Sequence, residues 1–115
     1  MGRVRFITPG TVTIPISDGD TVELKAQLTA GEYRELLAGM YRDRASGSVF
    51  DPLLVGRAQV LAYLVGWSFV DAQGAAVPVS GDALDALDPG SFTEVLRVVE
   101  THHAAIEAAT VARGK

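Results

Sequence analysis

Residues 66–92 read GWSFVDAQGAAVPVSGDALDALDPGSF, and their reading organises the rest of the chain. The segment holds the sole tryptophan, Trp67, while Phe69, Val77, Val79, Leu84, Leu87 and Phe92 recur between Asp, Gly and Pro. Asp71-Ala-Gln-Gly74 has turn chemistry, because Asp bonds the backbone that follows it and Gly tolerates positive φ. Val77-Pro78-Val79 is expected to be extended, since Pro biases its predecessor away from helix. Residues 80–87 predict a short helix, stopped by Asp88-Pro89-Gly90. Ser91-Phe-Thr-Glu94 has capping-box spacing and opens the longest helix, predicted over 92–112. Its apolar line is Phe92, Val95, Leu96, Val99 and Ile106, and the turns beyond are rich in alanine. Nothing here is left over for a nucleophile–base pair, a phosphate loop or a metal cluster.

Just upstream, residues 60–70 form the most apolar run, broken by Gly66 and Ser68. A bilayer span needs ~20 apolar residues, so this run reads as core. It continues a helix opened by Asp51-Pro52, with Asp as N-cap and Pro at the first helical position. That helix is apolar nearly all round (Leu53, Leu54, Val55, Ala58, Val60, Leu61, Tyr63, Leu64), with Arg57 and Gln59 as polar exceptions. It is the expected central helix. Residues 67–70 fit either an extended tail or one more helical turn.

Toward the N-terminus, residues 3–8 alternate and stop at Pro9-Gly10. Val12, Ile14 and Ile16 then alternate with Thr11, Thr13 and Pro15, the pattern of a half-buried strand. Pro15 has no N–H to donate, which places that strand at a sheet edge. After 17–20, a second strand carries Val22, Leu24 and Ala26 on one face. A two-residue Asp18-Gly19 turn would set Ile14 opposite Glu23. The matched register sets Ile16 against Val22, Ile14 against Leu24 and Val12 against Ala26, over a loop of three or five residues. Thr29-Ala-Gly-Glu32 is a capping box. Tyr33, Leu36, Leu37, Met40 and Tyr41 follow as one helical stripe, expected to end near Arg44 before the flexible connector Ala45-Ser-Gly-Ser48.

The expected fold is α+β and predominantly helical: an N-terminal β-hairpin or small antiparallel sheet, then three main helices and one short helix. One domain covers 1–115, with a hairpin region over 1–27 and a helical region over 28–115. Trp67, Leu61, Leu64, Leu36, Leu87, Leu96 and Val99 are expected to share one core.

Composition narrows the function. The 115 residues are 48% apolar and 21% charged, ordinary for a globular domain. Cysteine is absent, which excludes a disulfide scaffold and a thiol nucleophile. Net charge is −4; residues 1–50 hold six basic and six acidic side chains, residues 51–115 four and eight. A chain that grips phosphates shows the opposite balance, so no nucleic-acid partner is expected. No apolar signal core follows the first residues, and a cytosolic location is the expectation. His102 and His103 are adjacent, ~100° apart on a helix, and cannot chelate one ion together. His103 does share a face with Glu100 and Glu107, but a helical metal motif sets two His at i, i+4. A boundary pair, where the apolar stripe meets water, is the preferred reading. Asp82, Asp85 and Asp88 read as caps and helix-dipole partners. The serines lack a G-x-S-x-G setting. No enzyme activity, cofactor or metal is expected. Tyr33, Leu37, Met40 and Tyr41, with Phe50 and Trp67, are the candidates for partner binding, because aromatics and Met populate interfaces. The same helical spacing also reads as plain core.

Gly66-Trp67-Ser68, Asp71-x-x-Gly74, Val77-Pro78-Val79-Ser80, Leu84-x-x-Leu87-Asp88-Pro89 and a helix with His103 and a Glu/Ala-rich tail resemble the small tail assembly chaperones of long-tailed bacteriophages. Leu28-Thr29-x-Gly31-Glu32-Tyr33, a capped helix after a short hairpin, extends the likeness over nearly the whole chain. The resemblance implies a non-enzymatic protein in the cytoplasm of the infected bacterium. It would bind the tape measure protein and keep that long helical chain soluble. It would also help recruit tail-tube protein, self-associate weakly, contact no membrane, and be absent from the virion. It further implies a second, longer form made by frameshifting, of which this sequence carries no sign. A ring-forming tail or neck component and a bacterial regulatory binding module are the alternatives.

Overall fold

The computed structural model describes residues 4–45 and 47–113. It is an α+β fold in which a small antiparallel sheet is followed by helices. The strands are β1 (Thr11–Pro15), β2 (Thr21–Lys25), β3 (Tyr41–Arg44), β4 (Gly47–Phe50) and β5 (Leu64–Trp67). The helices are α1 (Ala30–Ala38), α2 (Val55–Tyr63), the short α3 (Gly81–Asp85) and the long α4 (Pro89–Arg113). The sheet order is β1-β2-β5, which leaves Pro15 on an edge strand as its missing N–H requires.

The hairpin keeps the expected parity but sits one rung from the expected pairs. Ile14 faces Val22 and Val12 faces Leu24, and Ile16 N–H donates to the Asp20 carbonyl at 2.8 Å. Three residues, Ser17-Asp18-Gly19, therefore make the turn, with Asp18 at φ 59° and Gly19 at φ 78°. Both conformations suit Asp and Gly, which is why the tighter loop is available. Residues 4–10 join no strand, and Val4 and Phe6 lie in solvent; Arg3 is outside the described residues.

Two further expectations are corrected. α1 stops at Ala38, a turn and a half before Arg44, and Tyr41–Arg44 is a strand paired with Gly47–Phe50. At the end of α1 stands Gly39, where a Cβ would come within 3.1 Å of the Ala58 Cβ, so glycine favours the close approach of α1 to α2. The Met40 carbonyl then accepts from Asp51 N–H at 2.8 Å and the ribbon begins. The supposed connector is thus the tip of a hairpin, with Gly47 at φ 114°; Ser46 lies outside the described residues.

α4, for its part, begins at Pro89 and not at Phe92. Asp88 is its cap: the carboxylate accepts from Ser91 N–H at 2.9 Å and from the Ser91 hydroxyl at 2.7 Å. These bonds hold the Asp88 carboxyl below its usual value. Glu94 is no capping-box partner. It reaches across to the hairpin turn, accepting from Ser17 N–H at 3.0 Å and the Ser17 hydroxyl at 2.8 Å.

Other local readings hold. Asp51 accepts from Leu53 N–H at 2.9 Å and starts a 3₁₀ turn, Pro52–Leu54, that leads into α2. Asp71 accepts from both Gln73 and Ala75 N–H, closing the turn at Gly74. The Ser80 hydroxyl caps α3. The central helix stops at Tyr63, and Leu64, expected within it, instead opens β5, which pairs with β2. Of the open stretch 67–70, Trp67 ends that strand and Val70 bridges to Ala76, so no further helical turn forms. Because this third strand comes from beyond residue 27, the hairpin and helical regions are one folded unit.

The core gathers one face from each layer. Val22 and Leu24 of β2 meet Val60 and Tyr63 of α2, Leu64 of β5, Leu84 of α3, and Val95 and Val99 of α4. Trp67, Leu61, Leu87 and Leu96 pack on its margin, and Leu36 is buried apart from the main cluster. No helix among the described residues is long and apolar enough to cross a membrane.

The Thr29 cap gives a direct test. Thr29 Oγ1 accepts from Glu32 N–H at 3.1 Å, and Glu32 accepts from Thr29 N–H at 2.9 Å and from Lys25 Nζ at 2.6 Å. Thr29→Ala is expected to cost about 1 kcal/mol in a denaturant titration. The bond from Lys25, then that from the Thr29 backbone, hold the Glu32 carboxyl below its ordinary 4.5. A depressed pKa stabilises the fold above the unfolded value and ceases to as pH falls through the folded one. The stability gap between wild type and Glu32→Gln should therefore close as pH drops below 4.5; a gap that widens in acid would refute the cap.

Candidate functional site

Among the described residues no polar or charged side chain is fully buried, yet several large apolar ones stay in water. Tyr33 is 42% exposed, Leu37 41%, Tyr41 49% and Phe50 50%. They are not one helical stripe. Tyr33 and Leu37 lie on α1, whereas Tyr41 lies on β3, its ring edge-on to Phe50 across the ribbon at 5.8 Å. Met40 sits between the two groups and is half-buried. The structure thus places these predicted residues outside the core but apart: Tyr33 lines a groove, Leu37 is exposed on α1 and is not among the residues lining that groove, and Tyr41 and Phe50 lie on the ribbon.

The first surface is concave. Where the segment entering α1 and its first turns approach the C-terminal half of α4, a groove of about 630 Å³ opens. Leu28 and Ile106 line it while packing on the core, and Tyr33 and Val111 line it from exposed positions. Capping fixes this wall in place, because Thr29 belongs to the groove and to the start of α1 at once.

Among the described residues lining the groove, one carboxylate, Glu107, borders it, and it is held from below. Tyr63 is 2% exposed, and its hydroxyl lies 2.7 Å from His103 Nδ1. His103 Nε2 lies 3.0 Å from Glu107 Oε1. A carboxylate only accepts, so in the neutral imidazole Nε2 carries the proton and Nδ1 accepts from Tyr63. Burial first, then the Glu107 charge and Tyr33, push the Tyr63 phenol above its usual value, so it stays protonated and can donate. His102 turns the other way, donating from Nε2 to the Lys25 carbonyl at 2.9 Å and fastening α4 to β2. The histidine pair is a boundary pair, as its position suggested, with each ring committed to a different neighbour.

The second surface is the β3–β4 ribbon. All its described residues are exposed, and Arg42 is tied to Asp51 at 2.6 Å. The sequence pointed to Tyr33, Tyr41 and Phe50 but not to Leu28, Ile106 or Val111. The Tyr63–His103 contact joins residues 40 apart and left no local trace.

Of the acidic candidates, Asp85 pairs with Arg57 at 2.9 Å and Asp88 caps α4, while Asp82 lies in the first turn of α3. No group of three or more His, Cys, Asp or Glu among the described residues is arranged to hold a metal ion. A smaller cleft of about 240 Å³ beside α1 and α2 contains Lys25, Glu32 and Arg57, each already in an ion pair. No family model matches this chain, and neither a curated protein nor a solved structure matches it.

Proposed function

We propose that this chain is a tail assembly chaperone of a long-tailed bacteriophage. It binds the tape measure protein in the host cytoplasm and keeps it soluble while tail-tube protein assembles around it. The observation that carries this reading is the open apolar groove between α1 and α4, lined by Tyr33, Ile106 and Val111. A groove of this kind suits the apolar face of a helix, the commonest way a folded domain shields one. The exposed Tyr41–Phe50 pair adds a second apolar contact of the sort that enriches interfaces. Many copies along one long client would hold it by multivalency even when each contact is weak.

The test is co-expression with the long helical reading frame expected beside this gene. With the chain present, the tape measure protein should move from the insoluble to the soluble fraction and copurify with it, and purified virions should lack the chain. Equal solubility without the chain, or its presence in virions as a ring component, would refute the chaperone reading.

A further inference from the structure

We infer that the groove between α1 and α4 takes a single amphipathic helix whose apolar stripe is flanked by lysine or arginine, with Glu107 as its ionic anchor. This rests on the reading of the chain as a helix-binding chaperone and adds where the client lies and what charge it carries.

Charge decides the sign of the occupant. Leu28, Tyr33, Ile106 and Val111 offer apolar surface, and among the described residues Glu107 is the one acidic or basic (Asp, Glu, Lys, Arg) side chain lining the groove. The Glu107 side chain is 61% exposed, so a cation can reach it. It is nevertheless not a free-swinging surface carboxylate. Tyr63, in the core, fixes His103, and His103 holds one carboxylate oxygen, leaving the other without a partner from that ring. A pre-positioned acceptor loses less freedom on binding than a loose one. An acidic helix would meet this carboxylate with like charge. The ribbon is a poorer candidate for the same helix. It is a two-stranded element, and its Arg42 is already paired.

The experiment uses the full chain, isotope-labelled, and two synthetic helices of about 20 residues, long enough to hold helical structure. Both carry Leu at i, i+3, i+4 and i+7; one has Lys beside the stripe and the other Glu. The Lys peptide should shift the amide resonances of Leu28, Tyr33, Ile106 and Val111, and bind about tenfold more tightly than the Glu peptide. Glu107→Lys should invert that preference. Tyr33→Ser with Val111→Ser, both at exposed positions and neither changing the charge, should weaken the Lys peptide about tenfold without lowering the melting temperature.

Equal affinity for the two peptides, shifts centred on the β3–β4 ribbon, or no binding would overturn the inference. The two levels separate cleanly. If the groove variants still hold the tape measure protein in solution, the groove assignment falls and the chaperone reading stands. If the Lys peptide binds as described but the tape measure protein is never solubilised, the groove stands and the phage reading falls.

Discussion

Trp67→Ala should lower the unfolding free energy by about 3–5 kcal/mol in a denaturant titration, with the m-value unchanged. Trp67 ends β5 opposite Val22 and packs on the core margin. Its ring lies 5.1 Å from that of Phe69, and its Nε1–H donates to the Val77 carbonyl at 2.6 Å. One side chain therefore pins the 68–80 segment back onto the sheet. Truncation removes the ring area and orphans the Val77 carbonyl together. Trp67→Phe retains most of the packing and drops only the donor, so it should cost about 1–2 kcal/mol. A loss below about 1 kcal/mol for the alanine variant would mean that the ring contributes nothing to packing and serves a partner instead.

Leu24→Ala should cost as much, about 3–5 kcal/mol. Leu24 is fully buried in the middle strand, facing Val12 in β1 and Leu64 in β5. Both neighbours are held by ladder bonds, so the surroundings cannot collapse into the space, and the cavity term stays near its maximum. Val12→Ala supplies the contrast. That residue lies on the edge strand and is half-exposed, so removing two methyls should cost about 1 kcal/mol. Comparable losses at the two positions would mean that β2 is not the buried centre of the sheet.

What could be read from the sequence was what depends on near neighbours. Thr29 with Glu32, Asp51 with Pro52, and Asp71 with Gly74 each complete their bonds within four residues, and each is found as expected. Asp88-Pro89 repeats the Asp51-Pro52 signature, yet it was read as a stop because a helix precedes it. In fact α3 ends earlier, at Asp85, and the dipeptide caps the helix that follows. The Tyr41–Arg44 stretch continues the helical spacing of α1 and gives no sign of strand. Its conformation is decided by two distant events, the fit of Gly39 against Ala58 and pairing with Gly47–Phe50. Likewise Tyr33 could be named as an interface candidate from its type and spacing. The groove it lines could not, because that depends on where α4 crosses the segment entering α1.

The order β1-β2-β5 also has a consequence in time. β2 finds its first partner across a three-residue loop but must wait for residues 64–67 to cover its other edge. At ordinary ribosomal speeds of about 5–20 residues per second, that wait lasts about 2–8 s. A lone two-stranded hairpin is marginal in water, so the part of the chain made first cannot settle until residues 64–67 have emerged. A pause while β2 is outside the ribosome and residues 64–67 are still inside should thus prolong exposure of Val22 and Leu24 to nascent-chain binders, whereas a pause after residues 64–67 have emerged should not.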